Sequence, residues 1–373
     1  MKHKRIVVTH YGGSSALEVI EEQVPEPKSG EARIRVINAG VSLPDIMARE
    51  GIHPETPRVP FTPGWDLVGI VDKLGEGITN VKVGDIVAAM PIHDAYAEYI
   101  CLPQHELVLV PDGVDPGEAV SVILNYITAY QMLHYSAKVK PGQRVLIHGA
   151  SGGVGTALLQ LGRLSNLEMY ASCSKHGIDT VTRLGAIAID YREKNVEQEI
   201  LRLTGDGVDV VFDPLGAKHS WLSRRVLRTG GKVVGYGSTT TLRGKGLTSN
   251  RPGHRNRLHG VPIYAMYIVA SFLFPGKRRL IPYSIQTLKR LNPKMFHADI
   301  ETLLDLLKKH QISPLIAHRF PLEAAKKAHE LLEKGGIIGK IILDVSNTPV
   351  NAQATAAQGN TQSHDDKTTL SLA

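Results

Sequence analysis

A glycine-rich turn between an apolar run and an amphipathic stretch carries the clearest chemical signal in the chain. The apolar run covers residues 144–148, and the turn follows the pattern Ala150-x-Gly152-x-x-Gly155. A glycine at the second place lets the backbone approach a pyrophosphate, and one at the third lets the helix pack on the strand. The start of that helix offers free N–H groups to phosphate oxygens. The turn therefore predicts a dinucleotide site formed by Ala150, Ser151, Gly152, Gly153, Val154 and Gly155.

The residues about 20 positions past the turn indicate which dinucleotide it binds, because NAD-dependent proteins place an Asp or Glu there. In this chain residues 171–176 hold no carboxylate, whereas Ser174 and Lys175 offer a hydroxyl and a positive charge to a 2′-phosphate. Tyr191 and Arg192 follow the next strand-like run and could line the same pocket. We therefore predict NADPH as the cofactor. The alternative interpretation is that Lys175 is only a solvated lysine at a helix start.

The elements that must position this site show a change of pattern along the chain. Short apolar runs between turns predict a β-rich unit over about the first 120 residues. Strand-like runs then alternate with amphipathic stretches, as in βαβ units on a parallel sheet. These runs cover 144–148, 167–171, 186–190, 208–212, 232–235 and a sixth strand at 261–272. Helical stretches at 298–310 and 322–335 and a final strand at 339–344 follow.

The amino-acid composition limits the cellular compartment and the classes of binding partner that we expect for the protein. The 373 residues include only two cysteines, which excludes a disulfide framework and favours a reducing compartment, so we expect a cytoplasmic protein. The formal net charge is +7, but no aromatic–basic motif of a nucleic-acid module is present. The apolar stretch at 261–275 is too short to span a bilayer. We therefore expect a small-molecule substrate, no nucleic acid and no membrane association.

Several further motifs make the chain similar to the medium-chain dehydrogenase/reductase superfamily, in its quinone-oxidoreductase branch. They are residues 63–77, 83–87, 94–99, 125–130, 212–216, 230–237 and 339–343. The resemblance implies an α/β fold with a GroES-like β-rich domain and a Rossmann doubly wound parallel sheet. It implies a discontinuous first domain at 1–123 and 270–346, around a dinucleotide-binding domain at 124–269. The polar residues 347–373 lack apolar side chains for packing and are predicted to form a disordered tail.

The chain departs from the zinc-dependent members of that superfamily. Ser42 stands where the resemblance would place a cysteine ligand, and Trp65 stands where it would place a histidine. The 16 histidines show no ligand spacing, and no cysteine cluster exists. We therefore predict that the protein holds no metal.

The resemblance also implies roles for residues in a cleft between the two domains. Asn125 and Thr128 are expected to hold the nicotinamide amide, and Gly237 and Ser238 to lie along the cofactor. Candidate catalytic residues are Ser42 and Asp45, on a loop that faces the nicotinamide, and Tyr126, a candidate proton donor, as is Tyr96. The two tyrosines can equally be packing residues, and the sequence names no single general acid.

Two functions of different class remain at this stage. The first is reduction of quinones, enones or related small acceptors by hydride from NADPH, with enoyl thioesters as a variant. The second is a low-turnover NADPH-binding protein that works by interaction, possible at a membrane because the resemblance extends to vesicle-membrane relatives. The basic apolar stretch 263–279 agrees with that second hypothesis. The resemblance implies a homodimer, paired through the strand at 261–272.

Overall fold

The computed structural model describes residues 1–237 and 278–346 of the chain. Three predictions fall outside these ranges: the strand at 261–272, the cofactor contact of Ser238, and the disordered tail at 347–373.

The first unit is β-rich, as its spacing of apolar runs and turns predicts. Its strands are β1 (Lys2–Val8), β2 (Leu17–Gln23), β3 (Glu31–Val41), β4 (Leu67–Leu74), β5 (Ile86–Ala89), β6 (Tyr99–Pro103) and β7 (Val108–Leu109). The chain returns to the unit with β14 (Ile316–Pro321) and β15 (Lys340–Asp344). β1 and β2 form an antiparallel pair, and the other strands form a sheet in the order β14-β15-β3-β4-β5-β7, with β6 on β3.

The second unit is a six-stranded parallel sheet in the order β10-β9-β8-β11-β12-β13. Its strands are β8 (Arg144–His148), β9 (Glu168–Cys173), β10 (Ile187–Asp190), β11 (Val208–Asp213), β12 (Leu227–Gly235) and β13 (Arg279–Pro282). The order reverses between β8 and β11, which opens a crevice at the carboxyl ends of these strands. The predicted α/β fold, GroES-like unit plus Rossmann sheet, is confirmed.

Nine α-helices lie in the described residues. They are α1 (Leu43–Arg49), α2 (Pro116–Gln131), α3 (Gly153–Leu164), α4 (Ile178–Arg183), α5 (Val196–Thr204), α6 (Ala217–Ser223), α7 (Ile285–Leu291), α8 (Pro293–Lys308) and α9 (Ala325–Lys334). Asp115 caps α2 by accepting a hydrogen bond from the Glu118 backbone N–H at 2.9 Å. Because α2 is buried along nearly its whole length, one apolar cluster runs from Trp65 in the β-rich unit to Ile147 in the parallel sheet.

The boundary between the units differs from the predicted one in one place. The sequence placed residues 270–346 in the β-rich unit, yet β13 pairs in parallel with β12, with Leu280 opposite Val233. Helix α8 likewise buries Phe296 and Leu303 in the apolar cluster that covers β8. The run Arg279–Pro282 was assigned to the wrong unit because its four residues are too few to show a strand pattern in the sequence.

Candidate active site

A cleft of about 1440 Å³ lies where the two units meet. One wall is the start of α1 and the loop after it, and the other is the glycine turn with the carboxyl ends of the parallel strands. The floor carries Asn125 and Thr128 of α2 and Lys340 of β15. The backbone N–H of Gly339 donates to the Ser151 carbonyl at 3.0 Å, so the glycine turn is also tied directly to the β-rich unit.

The glycine turn has the shape of a pyrophosphate cradle. A Cβ at position 155 would lie 2.4 Å from the Gly149 carbonyl oxygen, so only glycine lets α3 approach the turn this closely. At Gly152, the N-cap of α3, the nearest atom to an added Cβ is 3.4 Å away, so this backbone faces open space. The turn and the first N–H groups of α3 therefore fit a dinucleotide phosphate. Five predicted residues of the turn line the cleft, Ser151 to Gly155, whereas Ala150 is fully buried behind them.

The far end of the cleft is basic and lies at the carboxyl ends of β9 and β10. Ser174, Tyr191 and Arg192, which the sequence assigned to a phosphate pocket, line this end of the cleft, and so does Lys194, which is paired with Glu199. Lys175 is exposed but is absent from the described residues that line the cleft. The nearby Asp190 is 6% exposed, and its Oδ1 accepts a hydrogen bond from the Arg192 backbone N–H at 2.9 Å. That carboxylate therefore orders its own loop.

The opposite end of the cleft brings α2 and β12 together. Asn125, Thr128 and Gly237 all line it, which is where the resemblance expected the nicotinamide. The Thr128 hydroxyl donates to the Leu124 carbonyl at 2.7 Å, within its own helix. Tyr283 also lines this end, and its hydroxyl donates to Gln131 Oε1 at 2.9 Å.

The three candidate catalytic residues occupy different surroundings. Ser42 lines the cleft and is the N-cap of α1. Asp45 is 1% exposed behind it and accepts hydrogen bonds from the Ser42 N–H at 2.9 Å, the Ser42 hydroxyl at 2.5 Å and the Gly64 N–H at 2.8 Å. Burial raises the pKa of Asp45 to about 7 despite these bonds. Its position is that of a helix-capping residue and not of a group in the cleft.

Tyr126 is buried in the apolar core at 2% exposure and does not line the cleft. Burial raises the pKa of its hydroxyl, which has no hydrogen-bond partner among the described residues. Tyr96 is fully buried as well, with its hydroxyl 3.3 Å from His329 Nε2. Both tyrosines therefore occupy packing positions, the second of the two interpretations that the sequence left open.

A buried ion pair lies beneath the cleft and joins β15 to the residue before β4, both in the β-rich unit. Lys340 Nζ bonds Asp66 Oδ2, and this oxygen also accepts from the Leu124 backbone N–H at 3.2 Å. Asp66 is fully buried, so it needs both partners. The pair thus ties β15 to the start of β4 and to α2.

Three residues distant in sequence, His148, Asp213 and His219, come within reach of a single ion. However, His219 Nδ1 lies only 2.7 Å from Asp213 Oδ2. Two ligands of a tetrahedral zinc, each at about 2.0–2.1 Å, would stand about 3.3 Å apart. The Ser223 hydroxyl also donates to Asp213 at 2.9 Å. The group is therefore a hydrogen-bond network that holds α6 against β8 and β11.

Lys194 and His53 are two of the polar residues of the cleft that sequence reasoning missed. Lys194 lies four residues beyond the end of a predicted strand. Its signal in the sequence is a cation in the loop that follows a strand of the parallel sheet. His53 stands alone in the loop after α1, and nothing in its spacing marks it. Only the packing of that loop against Trp65 brings it to the cleft.

A parallel sheet with a dinucleotide cradle, closed against a β-rich unit across a cleft, defines a two-domain nucleotide-dependent oxidoreductase. Family models agree with each part: an alcohol dehydrogenase GroES-like domain matches residues 28–112, and a zinc-binding dehydrogenase model matches residues 184–343.

Individual relatives extend the match over nearly the whole chain. The human synaptic vesicle membrane protein VAT-1 homolog-like is 31% identical over 360 residues, 94% of this chain and 83% of the relative. A rat quinone oxidoreductase is 28% identical over 346 residues, 91% and 97% of the two chains. A mycobacterial protein solved in complex with NADPH superposes with a TM-score of 0.77 at 27% identity, covering 92% of this chain and all of its own. The chain belongs to the medium-chain dehydrogenase/reductase superfamily, in its quinone oxidoreductase-like branch.

Membership makes the protein an oxidoreductase that takes a nicotinamide cofactor. Among residues 1–237 and 278–346, no helix combines the length and the apolar character needed to traverse a bilayer.

Proposed function

We propose that the protein uses NADPH to reduce quinones, conjugated enones or related small acceptors without a catalytic zinc. The observation that carries this proposal is the cleft itself, which has a dinucleotide cradle at its centre, cations at one end and, among the residues described, no metal-ligand set at the other. When bound, the dihydronicotinamide supplies the hydride, and the protein supplies position and electrostatics.

The preference for NADPH over NADH rests on the basic end of the cleft. The Arg192 guanidinium would bind the 2′-phosphate, with the Ser174 hydroxyl as a further donor. The Lys194 ammonium, which is paired with Glu199 at 2.8 Å, adds a positive charge beside them. No carboxylate stands free at the end of β9 to accept from a 2′-hydroxyl, because the segment reads Cys173-Ser174-Lys175.

The absence of zinc from the proposal rests on the chemistry of the side chains. The family model that matches residues 184–343 is described as zinc-binding. Yet Trp65 presents an indole, which has no lone pair for a metal, and the Ser42 hydroxyl is engaged with Asp45. These residues do not fit a catalytic zinc, and no step of the proposed reaction passes through one.

Without a Lewis acid, the most suitable substrates are those whose carbonyl oxygen can take up charge through conjugation. As hydride adds to the β-carbon of an enone, the alkene electron pair shifts and the oxygen becomes an enolate. A proton from water then reaches the α-carbon, which completes the saturated ketone. The cleft must therefore orient the acceptor and stabilise an oxyanion.

The test is a titration of the purified protein with NADPH and NADH, followed by fluorescence, and then a panel of quinones and enones followed by loss of nucleotide absorbance. Tighter NADPH binding with acceptor-dependent oxidation is expected. Stronger binding of NADH would contradict the role given to Arg192. NADPH binding without oxidation by any acceptor would contradict the reductase proposal.

The 31% identity to the VAT-1 homolog-like protein favours a second candidate, an NADPH-binding protein with little turnover that acts at a membrane. Flotation with liposomes of phosphatidylserine and phosphatidylcholine separates the two. Flotation together with absent turnover would favour this candidate, whereas turnover by a protein that stays at the bottom of the gradient would remove it.

A further inference from the structure

His53 occupies a defined place on the wall of the cleft that faces the parallel sheet. It is half-buried and lines the cleft, four residues beyond the end of α1. Its backbone N–H donates to the Met47 carbonyl at 3.2 Å, which ties it to that helix. Its ring stands edge-on to Trp65, with centroids 5.4 Å apart and planes at 77°. The ring is therefore held by both backbone and packing.

The hydrogen bonds of the ring set its protonation. The Glu55 backbone N–H donates to His53 Nδ1 at 3.2 Å, so Nδ1 carries a lone pair and Nε2 carries the proton. Burial, with a smaller effect of His93, lowers the pKa of His53 to about 4. At neutral pH the ring is therefore a neutral imidazole. Within residues 1–237 and 278–346, its Nε2–H meets no hydrogen-bond acceptor.

Four other donors that line the cleft are already committed. The Ser42 hydroxyl donates to Asp45, the Thr128 hydroxyl to Leu124 and the Tyr283 hydroxyl to Gln131. The Lys340 ammonium is paired with Asp66. Each of these groups would have to break its present bond before it could donate to a substrate oxygen. The Nε2–H of His53 has no such bond to break.

We propose that His53 is a catalytic residue whose Nε2–H donates a hydrogen bond to the carbonyl oxygen of the acceptor. This inference rests on the proposed reductase function and names the oxyanion donor that the function requires. The hydrogen bond strengthens as the oxygen gains charge, so it stabilises the enolate or quinol anion more than the ground state. The imidazole keeps its proton throughout, since loss would leave an imidazolate. The proton that completes the product comes from water at the α-carbon.

Turnover is tested first, with three variants. His53→Phe keeps the ring's bulk but removes the donor, and we expect kcat to fall about 100-fold, as for loss of one oxyanion donor. His53→Gln restores an N–H and should recover part of that loss. His93→Phe is the matched control, because His93 packs edge-on to Phe61 nearby, at 6.0 Å, and does not line the cleft. Its kcat should stay within about twofold of the wild type.

Equilibrium binding gives a readout that needs no turnover. We expect His53→Phe to weaken binding of 4-nitrophenolate, an oxyanion mimic, at least about tenfold while nitrobenzene binding changes little, because a hydrogen bond to a charged group contributes about 1.5–3 kcal/mol. Quenching of tryptophan fluorescence in a Trp221→Phe background, where Trp65 is the remaining tryptophan, reports both. Unchanged turnover and unchanged phenolate binding in His53→Phe would overturn the role of His53. Loss of NADPH binding or of nitrobenzene binding would also overturn it, since the defect would then be structural.

The reductase proposal can fail separately. Suppose that no acceptor of the panel supports NADPH oxidation by the wild type, while His53→Phe still loses phenolate affinity selectively. The role of His53 as an oxyanion donor then stands, and the assigned reaction is wrong.

Discussion

At the scale of single residues, the proposed preference for NADPH over NADH depends on charges that would contact the 2′-phosphate. We expect Arg192→Ala to weaken NADPH binding by about ten- to a hundredfold, because a charge-assisted hydrogen bond contributes about 1.5–3 kcal/mol. NADH binding should change less than about twofold, since NADH has no 2′-phosphate. Fluorescence titration of both nucleotides measures this.

Lys175→Ala is the matched control, because Lys175 is an exposed cation nearby that does not line the cleft. It should leave both affinities unchanged. A larger loss of NADPH affinity in Lys175→Ala than in Arg192→Ala would show that Lys175, as the sequence predicted, is the main cation that binds the 2′-phosphate.

The contrast between these cations shows where sequence reasoning reaches its limit. The position of the glycine turn could be predicted because backbone shape dictates its residues, at Gly152 and Gly155. A cation such as Lys175, in contrast, can be close in sequence to residues that line the predicted phosphate site and still not line the cleft itself. His53 had no local signal at all, because its contact with Trp65 is set by tertiary packing.

At the scale of elements, the strand–turn–helix unit predicts different effects for alanine substitutions at two of its glycines, Gly155 and Gly152. Gly155→Ala would place a Cβ 2.4 Å from the Gly149 carbonyl oxygen, so we expect it to destabilise the fold and to abolish dinucleotide binding. In Gly152→Ala the nearest contact is an ordinary 3.4 Å, so the fold should stay intact while the methyl group displaces the pyrophosphate. Urea unfolding and NADPH titration separate the two effects. Equal unfolding midpoints for both variants would contradict this account of the cradle.

Helix α1 predicts a pH effect through its capping residue. Because burial raises the pKa of Asp45 from 3.8 to about 7, the native state binds a proton that the unfolded state releases between these values. The contribution of protonated Asp45 to the free energy of unfolding is therefore fully present below about pH 4 and is lost as the pH rises toward 7. About three pKa units, at about 1.4 kcal/mol each, set an upper limit near 4 kcal/mol.

Asp45→Asn isolates this contribution, since it keeps an oxygen for the Gly64 N–H and cannot ionise. The stability of the wild type relative to Asp45→Asn should fall between pH 4.5 and 8, measured by urea unfolding. Titration of groups that do not interact with Asp45 cancels in that difference. Parallel pH profiles would contradict the raised pKa.

At the scale of the whole molecule, the sequence predicted the architecture well because long parallel strands and glycine turns repeat a regular pattern. The strands at 144–148 and 208–213 fall where alternation placed them. What could not be predicted was which residues distant in the sequence come together. The ion pair of Asp66 and Lys340 joins residues 274 positions apart, and strand β13 takes its place from pairing with β12.

Assembly is the last prediction at this scale. Among the described strands β13 is the end of the parallel sheet, so we predict that the dimer implied by the resemblance pairs through β13. A two-fold axis would join two β13 strands antiparallel into one continuous sheet. Sedimentation at micromolar concentration should therefore give twice the 40.6 kDa mass of the chain.

Proline scanning of β13 tests whether this edge forms the interface. Successive residues direct their N–H groups to opposite sides, so Leu280→Pro and Ile281→Pro remove one donor toward β12 and one toward the side away from β12. One variant should be a folded monomer, and the other should lose stability. A wild type that sediments at 40.6 kDa would refute the dimer, and dimers in both variants would place the interface elsewhere.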